Sequence, residues 1–293
     1  MYQELEKKYA EFVGSKHAVA CNSGTSALHL ALLALDIGKD DEVIVPDFTM
    51  AACGFAVAYT GAKVVTVDCD DTLCINPALI EAKITPKTKA IMVVHIYGRL
   101  CQMERILAIA KKHNLKVIED ACEAQGAVYD SKADITCYSF YKNKIINAEE
   151  GGIATTDDAS YAEKMNYYKN MAFGHRHDYH HYHIGYNYRM ADSQAKLALK
   201  SLKAYQANKV KRQEFEKAWQ KFIPTKKRDA VWVYDFVCDN DKDRDDKIDE
   251  LNKKGIHWRY FFKPLSSMPM FTQRVGLKAW DYSKRGLYIC YEN

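Results

Sequence analysis

The sequence predicts an α/β protein: a mainly parallel sheet with helices on both faces, plus a small C-terminal α/β unit. Short apolar runs alternate with helix-period segments from residue 3 to about 210, the signature of β-α units around a buried sheet. A chain of 293 residues with 48% hydrophobic and 27% charged content buries one large core and leaves material for a second, smaller unit. The expected division is a large domain over 1–210 and a small one over 211–293.

Taken in order, Leu5, Tyr9, Phe12 and Val13 share one face of a first helix, the spacing that buries a helical stripe. A strand is expected at 17–21, followed by Asn22-Ser23-Gly24-Thr25-Ser26 and a helix over 27–35. Further strands are expected at 42–45, 63–67, 90–95, 116–119, 135–140 and 152–155, where β-branched and apolar residues run together. Helices fall between them, around 50–60, 77–83, 103–113 and 160–171. A polar, His-rich loop over 174–183 leads to a long helix over about 190–210, and the remainder shows a strand near 231–237 and a helix near 245–254.

Composition excludes several functions. A net charge of +4, from 42 Lys and Arg against 38 Asp and Glu, is diluted over a large surface and indicates no nucleic-acid partner. Nine cysteines without a C-x-x-C pair, most of them in apolar runs, read as reduced, buried thiols of a cytoplasmic protein. The N-terminus carries no apolar leader, and no run approaches the roughly 18 apolar residues of a membrane span.

Three segments carry candidate chemistry. Ser23-Gly24-Thr25-Ser26 lies between a strand and a helix, where free N–H groups and the helix dipole bind phosphate and Gly admits close approach; a plain helix cap is the alternative. Asp120 ends the apolar run Val117-Ile118-Glu119, on the edge where open α/β sheets bind ligands. An acid there holds a pyridinium nitrogen protonated, or merely caps the next turn. Lys144 follows the next strand and precedes Gly151-Gly152; partial burial and cationic neighbours would free its lone pair for imine formation. Solvated loop lysines are the bland reading. The joint order outweighs it: phosphate loop, strand-end Asp, then Lys 24 residues on.

These segments sit in a longer series of blocks: S-G-T-S-A-L-H-L-A-L (23–32), D-E-V-I-V-P-D-F-T (41–49), I-T-P-K-T-K-A-I (84–91), V-H-I-Y-G (94–98) and I-E-D-A-C-E-A-Q-G-A (118–127). S-F-Y-K-N-K (139–144), E-G-G (150–152), H-I-G-Y-N-Y-R-M (183–190) and R-Y-F-F-K-P-L (259–265) follow. In content and order they resemble the DegT-type nucleotide-sugar aminotransferases, which use pyridoxal 5'-phosphate (PLP) on the aspartate-aminotransferase (type I) fold. The resemblance covers nearly the whole chain. It implies that Lys144 is the Schiff-base lysine and proton carrier, that Asp120 pairs with the ring nitrogen, and that Glu123 lies near the ring hydroxyl. It also implies that Gly24, Thr25, Ser26 and Ser139 hold the phosphate, and that Asn187 reaches the cofactor of the other subunit in a homodimer.

The same resemblance implies a ping-pong reaction in which L-glutamate gives its amino group to a nucleotide-linked keto sugar. G-Y-N-Y-R-M and F-F-K-P-L are similar to blocks of the branch making 4-amino-6-deoxy sugars, the perosamine synthase-like enzymes, which points to a 4-keto-6-deoxy substrate. Met50 stands where the family usually has an aromatic that stacks on the ring; a thioether can still pack on a π face, but the aromatic stacking itself is not expected. Glu123 takes a position often filled by Gln or His, and Glu149 replaces a common Gly, so an altered turn is expected there. Both ends are shorter than in the resembling proteins, the expectation for a fragment or a minimal version.

Two other classes compete: a PLP-dependent sugar dehydratase of the same fold, whose members carry His where this chain has Lys144, and a catalytically silent homologue. His175, His177, His180, His181 and His183 lack Cys or paired carboxylates at ligand spacing, so no metal site is expected. The run 258–262 reads as packing and pocket wall rather than a nucleic-acid platform.

Overall fold

The computed structural model describes residues 2–127, 131–174, 179–271 and 277–291. Helix α1 (Tyr2–Val13) buries Leu5 and Tyr9 against β1 (His17–Cys21), while Phe12 and Val13 are half-buried. Ser23 then caps α2 (Gly24–Ala34) by accepting from Ser26 N–H, so this helix begins at Gly24 rather than at 27. Nine of the eleven α2 residues are buried, because this helix lies between the sheet and helices on its outer side.

The sheet continues with β2 (Glu42–Pro46), β3 (Lys63–Val67), β4 (Thr88–Val94), β5 (Lys116–Asp120), β6 (Ile135–Ser139) and β7 (Gly152–Thr156). Its seven strands are ordered β1-β7-β6-β5-β4-β2-β3. β2 to β6 are mutually parallel, and β7 pairs antiparallel with both β6 and β1. β1 therefore runs with the parallel set, and the carboxyl ends of β1, β2, β5 and β6 open on one edge. The near-continuous apolar runs reflect burial on both faces, supplied by α2, α3 (Ala52–Tyr59), α4 (Met103–His113) and α5 (Ala159–Lys169).

Two expected helices differ. The stretch 77–83 forms two short 3-10 turns, Pro77–Leu79 and Glu81–Lys83, because so short a segment gains little from α-helix propagation. The helix expected over 190–210 is two: α6 (Asp192–Lys203) and α7 (Tyr205–Gln220), broken at Ala204. Buried Tyr205 donates its hydroxyl to Gly126 O at 3.1 Å, and a Cβ on Gly126 would lie 1.9 Å from the Tyr205 hydroxyl oxygen. This docking, not local propensity, redirects the chain.

Beyond α7, β8 (Tyr234–Val237), α8 (Asp241–Lys253), β9 (Trp258–Tyr260), α9 (Leu277–Arg285) and β10 (Gly286–Ile289) build a three-stranded antiparallel sheet ordered β8-β10-β9. Its inner side joins the main core through Trp232, Phe261 and Leu265. Buried ion pairs from Asp235 to Arg99 (2.8 Å) and Arg228 (3.1 Å) reinforce the junction. All nine cysteines are free thiols, seven of them buried. Among the described residues no helix is long and apolar enough to cross a membrane.

Glu149 adopts φ +64°, a left-handed conformation costing a non-glycine residue about 1–2 kcal/mol. Its carbonyl accepts from Lys142 N–H at 2.9 Å, so the turn expected from a glycine forms with Glu in its place.

Candidate active site

The common carboxyl edge brings the candidate residues to one cavity of about 360 Å³. β1 delivers Ser23, Gly24 and Thr25, the β2–α3 connection Met50, β5 Asp120 with Glu123 beyond it, and β6 Ser139 with Lys144 on the following loop; all line the cavity. A Cβ on Gly24 would lie 2.9 Å from the Ser139 Cβ. Only glycine lets the start of α2 and the end of β6 approach so closely, concentrating free N–H groups and hydroxyls at one end.

Ser26 is placed differently from Thr25. Its hydroxyl is engaged with Asn22 Oδ1 (2.7 Å) and Ser23 Oγ (2.9 Å), and it does not line the cavity. Asn187 is exposed, bridges Asn170 in an antiparallel β-bridge, and stands outside its own chain's cavity. Met50 is 52% exposed and lines the cavity.

Asp120 is buried. Its Oδ1 accepts from Cys122 N–H at 3.0 Å and its Oδ2 from the Cys53 thiol at 3.2 Å, two donors that orient the carboxylate without neutralising it. Glu123 Oε2 accepts from Tyr97 N–H at 2.7 Å, and Tyr97 has a left-handed φ of +50°. Burial pushes the Glu123 carboxyl up to about 7, with the Lys144 charge opposing the shift. Lys144 Nζ lies 3.8 Å from the centre of the Trp232 ring. The cationic neighbours expected for this lysine are replaced by carboxylates and aromatic rings: Asp120, Glu123, Glu150, Tyr141, Trp232 and Tyr288 share the cavity with it.

Trp232, Phe262 and Tyr288 wall the cavity from the C-terminal part. Phe262 belongs to the run expected to form pocket wall; Trp232 heads the alternating run Trp232, Tyr234, Phe236 and Tyr288 stands between Leu287 and Ile289, patterns that mark strands but not a pocket wall. Of the His-rich loop, His175 and His177 lie outside the described residues. His181 contacts Met171 O at 2.8 Å and His183 the Tyr167 hydroxyl at 3.2 Å. Among the described residues no group of three or more His, Cys, Asp or Glu is placed to hold a metal ion.

Glu123 supplies a stability test. Its carboxyl is raised in the folded chain, so between about pH 4.5 and 7 the unfolded chain binds fewer protons and stability falls as pH rises. Glutamine keeps an acceptor for Tyr97 N–H and removes this cost. In the cofactor-free protein Glu123→Gln is expected to change little near pH 4.5 and to stabilise by up to about 3 kcal/mol at pH 8. Urea unfolding across that range measures it, and a pH-independent difference would refute the assignment.

A flat, phosphorylated pyridine fits this donor set: helix N–H groups and hydroxyls at one end, a carboxylate at the other, and an amine beside them. Comparisons with known proteins agree. Residues 1–289 match the DegT/DnrJ/EryC1/StrS aminotransferase family. The chain is 40% identical over 289 residues to the GDP-perosamine synthase of Caulobacter vibrioides, covering 92% of this chain and 78% of that protein. It is 46% identical over 198 residues to a UDP-N-acetyl-3-dehydro-alpha-D-glucosamine 3-aminotransferase of Acidithiobacillus ferrooxidans, covering 65% and 53%. The structure of NtdA from Bacillus subtilis with bound cofactor PMP aligns with a TM-score of 0.89 at 29% identity, over 99% of this chain and 72% of that one. The expected fold and cofactor hold, and the chain belongs to the DegT/DnrJ/EryC1/StrS aminotransferase family of PLP-dependent transaminases.

Proposed function

We propose that the protein transfers the amino group of L-glutamate to the 4-keto carbon of a nucleotide-linked 6-deoxy sugar, as a cytoplasmic homodimer. The observation that carries the reading is the convergence of Lys144, Asp120 and Glu123 on one cavity beside the α2 N-terminus. Likeness to a GDP-perosamine synthase over 92% of the chain favours the 4-keto substrate over a 3-keto one, for which the likeness spans 65%.

When bound, PLP supplies an electron sink beside the carbon whose proton moves. In this reading Lys144 Nζ bonds the cofactor and carries the proton to and from the donor α-carbon. Asp120 keeps the ring nitrogen protonated, and Glu123 faces the ring hydroxyl. Gly24, Thr25 and Ser139 would hold the phosphate, Ser26 would brace that loop through Asn22 and Ser23 rather than touch the phosphate itself, Met50 would pack on the ring, and Asn187 would reach the partner subunit's cofactor. A domain division at residue 210 leaves the phosphate grip in the large domain and the Trp232, Phe262 and Tyr288 wall in the small one.

Borohydride reduction of the PLP-loaded protein followed by peptide mapping should find the pyridoxyl group on Lys144. A label on Lys142, or no chromophore after reconstitution, would overturn the lysine assignment. A glutamate-dependent screen should aminate GDP-linked 4-keto-6-deoxy sugar and leave UDP-linked 3-keto sugar untouched; the reverse preference would overturn the substrate.

A further inference from the structure

Lys144 makes no ion pair with any carboxylate among the described residues, although Asp120, Glu123 and Glu150 line its cavity. Its Nζ instead stands 3.8 Å from the centre of the Trp232 indole, well inside the roughly 6 Å reach of a cation–π contact. We propose that the indole face of Trp232 is the resting place of the Lys144 ammonium whenever that amine is not bonded to the cofactor, which makes Trp232 a positioning residue for the transfer. The inference rests on the reading of Lys144 as the cofactor-bonding lysine.

The ring is fixed from several sides. Arg212, 1% exposed on α7, donates through Nη1 to Trp232 O at 2.6 Å and through Nη2 to Asn143 O at 3.0 Å. One buried guanidinium thus ties the backbone of the indole to the residue preceding the lysine. Trp232 Nε1 also donates to Asn143 Oδ1 at 3.4 Å, and the ring stacks on Tyr97 with centroids 6.1 Å apart and planes 20° apart. Just upstream, Asp229 N–H and Ala230 N–H both donate to Gly98 O, at 2.8 and 2.9 Å. A Cβ on Gly98 would meet Ala230 O at 1.9 Å, so the segment is clamped to the 3-10 turn Ile96–Gly98 that follows β4.

The physical advantage lies in what the ring does not do. A carboxylate holding the ammonium would form a directional, charge-neutralising pair and tie up Asp120 or Glu123. A π face attracts the charge without accepting its proton, and leaves Nζ free to swing back to the reacting carbon. The other titratable groups facing the lysine are Cys122, Tyr141 and Tyr288.

The test uses the full chain loaded with pyridoxamine phosphate, in which the lysine amine is free. Carbamylation of Lys144 by cyanate at fixed pH, read by peptide mass spectrometry against exposed Lys89, reports how much amine escapes the ammonium form. Trp232→Leu keeps an apolar wall without the π face and should raise the Lys144 rate by about two- to thirtyfold. Trp232→Phe should restore part of the protection.

Because a core variant can misfold, the native chain is also grown with tryptophans carrying increasing numbers of ring fluorines, which drain the π face while nearly preserving shape. The Lys144 rate should climb stepwise with fluorination, and this climb should vanish in Trp232→Phe. A rate indifferent to fluorination, or equal in the wild type and the Leu and Phe variants, overturns the proposal. Borohydride mapping to another lysine would instead overturn the assignment of Lys144, and leaves the cyanate result readable on its own.

Discussion

Asp120→Asn is expected to bind PLP and to lose transamination by about a hundred- to thousandfold, the range for removing one preorganised electrostatic contact. The side chain sits at the carboxyl end of β5 with both oxygens engaged, Oδ1 by Cys122 N–H and Oδ2 by the Cys53 thiol. Asparagine satisfies the same partners: its carbonyl oxygen accepts from Cys122 N–H, and its amide donates to the Cys53 sulfur, which also serves as a weak acceptor. The fold and the phosphate grip at α2 therefore survive the exchange, and only the negative charge goes. A neutral amide cannot keep a ring nitrogen protonated, and the ring without that proton is a poorer electron sink. Steady-state turnover, with cofactor occupancy read from absorbance and stability from urea unfolding, separates the effects. Turnover at the wild-type rate would remove Asp120 from the proposed mechanism. Failure to retain cofactor would make its role one of binding.

The place of Asp120 at the sheet edge was legible because its environment repeats a physical pattern: an apolar strand buried on both faces, ended by an acid. The strands β1 and β3 fall at their expected bounds and the other strands of the large sheet within a residue or two, for the same reason. What escaped reading depends on contacts distant in sequence. The break at Ala204 follows from Tyr205 finding Gly126, and α-helical propensity carries no trace of it. β9 and β10 are three and four residues long, too short for a period to register. Arg212 resembles any charged residue on a helix until its guanidinium is seen buried against two carbonyls. The reversed direction of β7 leaves no mark in its sequence Gly152-Ile153-Ala154-Thr155-Thr156, yet it is what returns β1, and with it Ser23 and Gly24, to the edge that carries Asp120 and Ser139.

The position of Asn187 motivates the remaining test. It is exposed, outside its own cavity, and held by backbone contacts: the bridge to Asn170, and Asn22 Nδ2 donating to its carbonyl at 3.4 Å. A role in capping α6 within one subunit does not account for it, since Gln194 Oε1 accepts from Ala191 N–H at the helix start and Arg189 Nη1 donates to Asn170. A symmetric dimer would carry the segment reciprocally, each Asn187 serving the other subunit's site. Lys144→Ala and Asn187→Ala proteins are each expected to be impaired alone. In a mixed dimer both defects fall on one site and leave the other with both groups intact. Random exchange of equal amounts makes about half of the dimers mixed, so activity should return to about a quarter of wild type. Mixing under conditions shown to exchange subunits, followed by a glutamate-dependent amination assay, measures that recovery. Without any recovery, or with full activity in a monomer, the site is built within a single chain and Asn187 does not act across a subunit boundary.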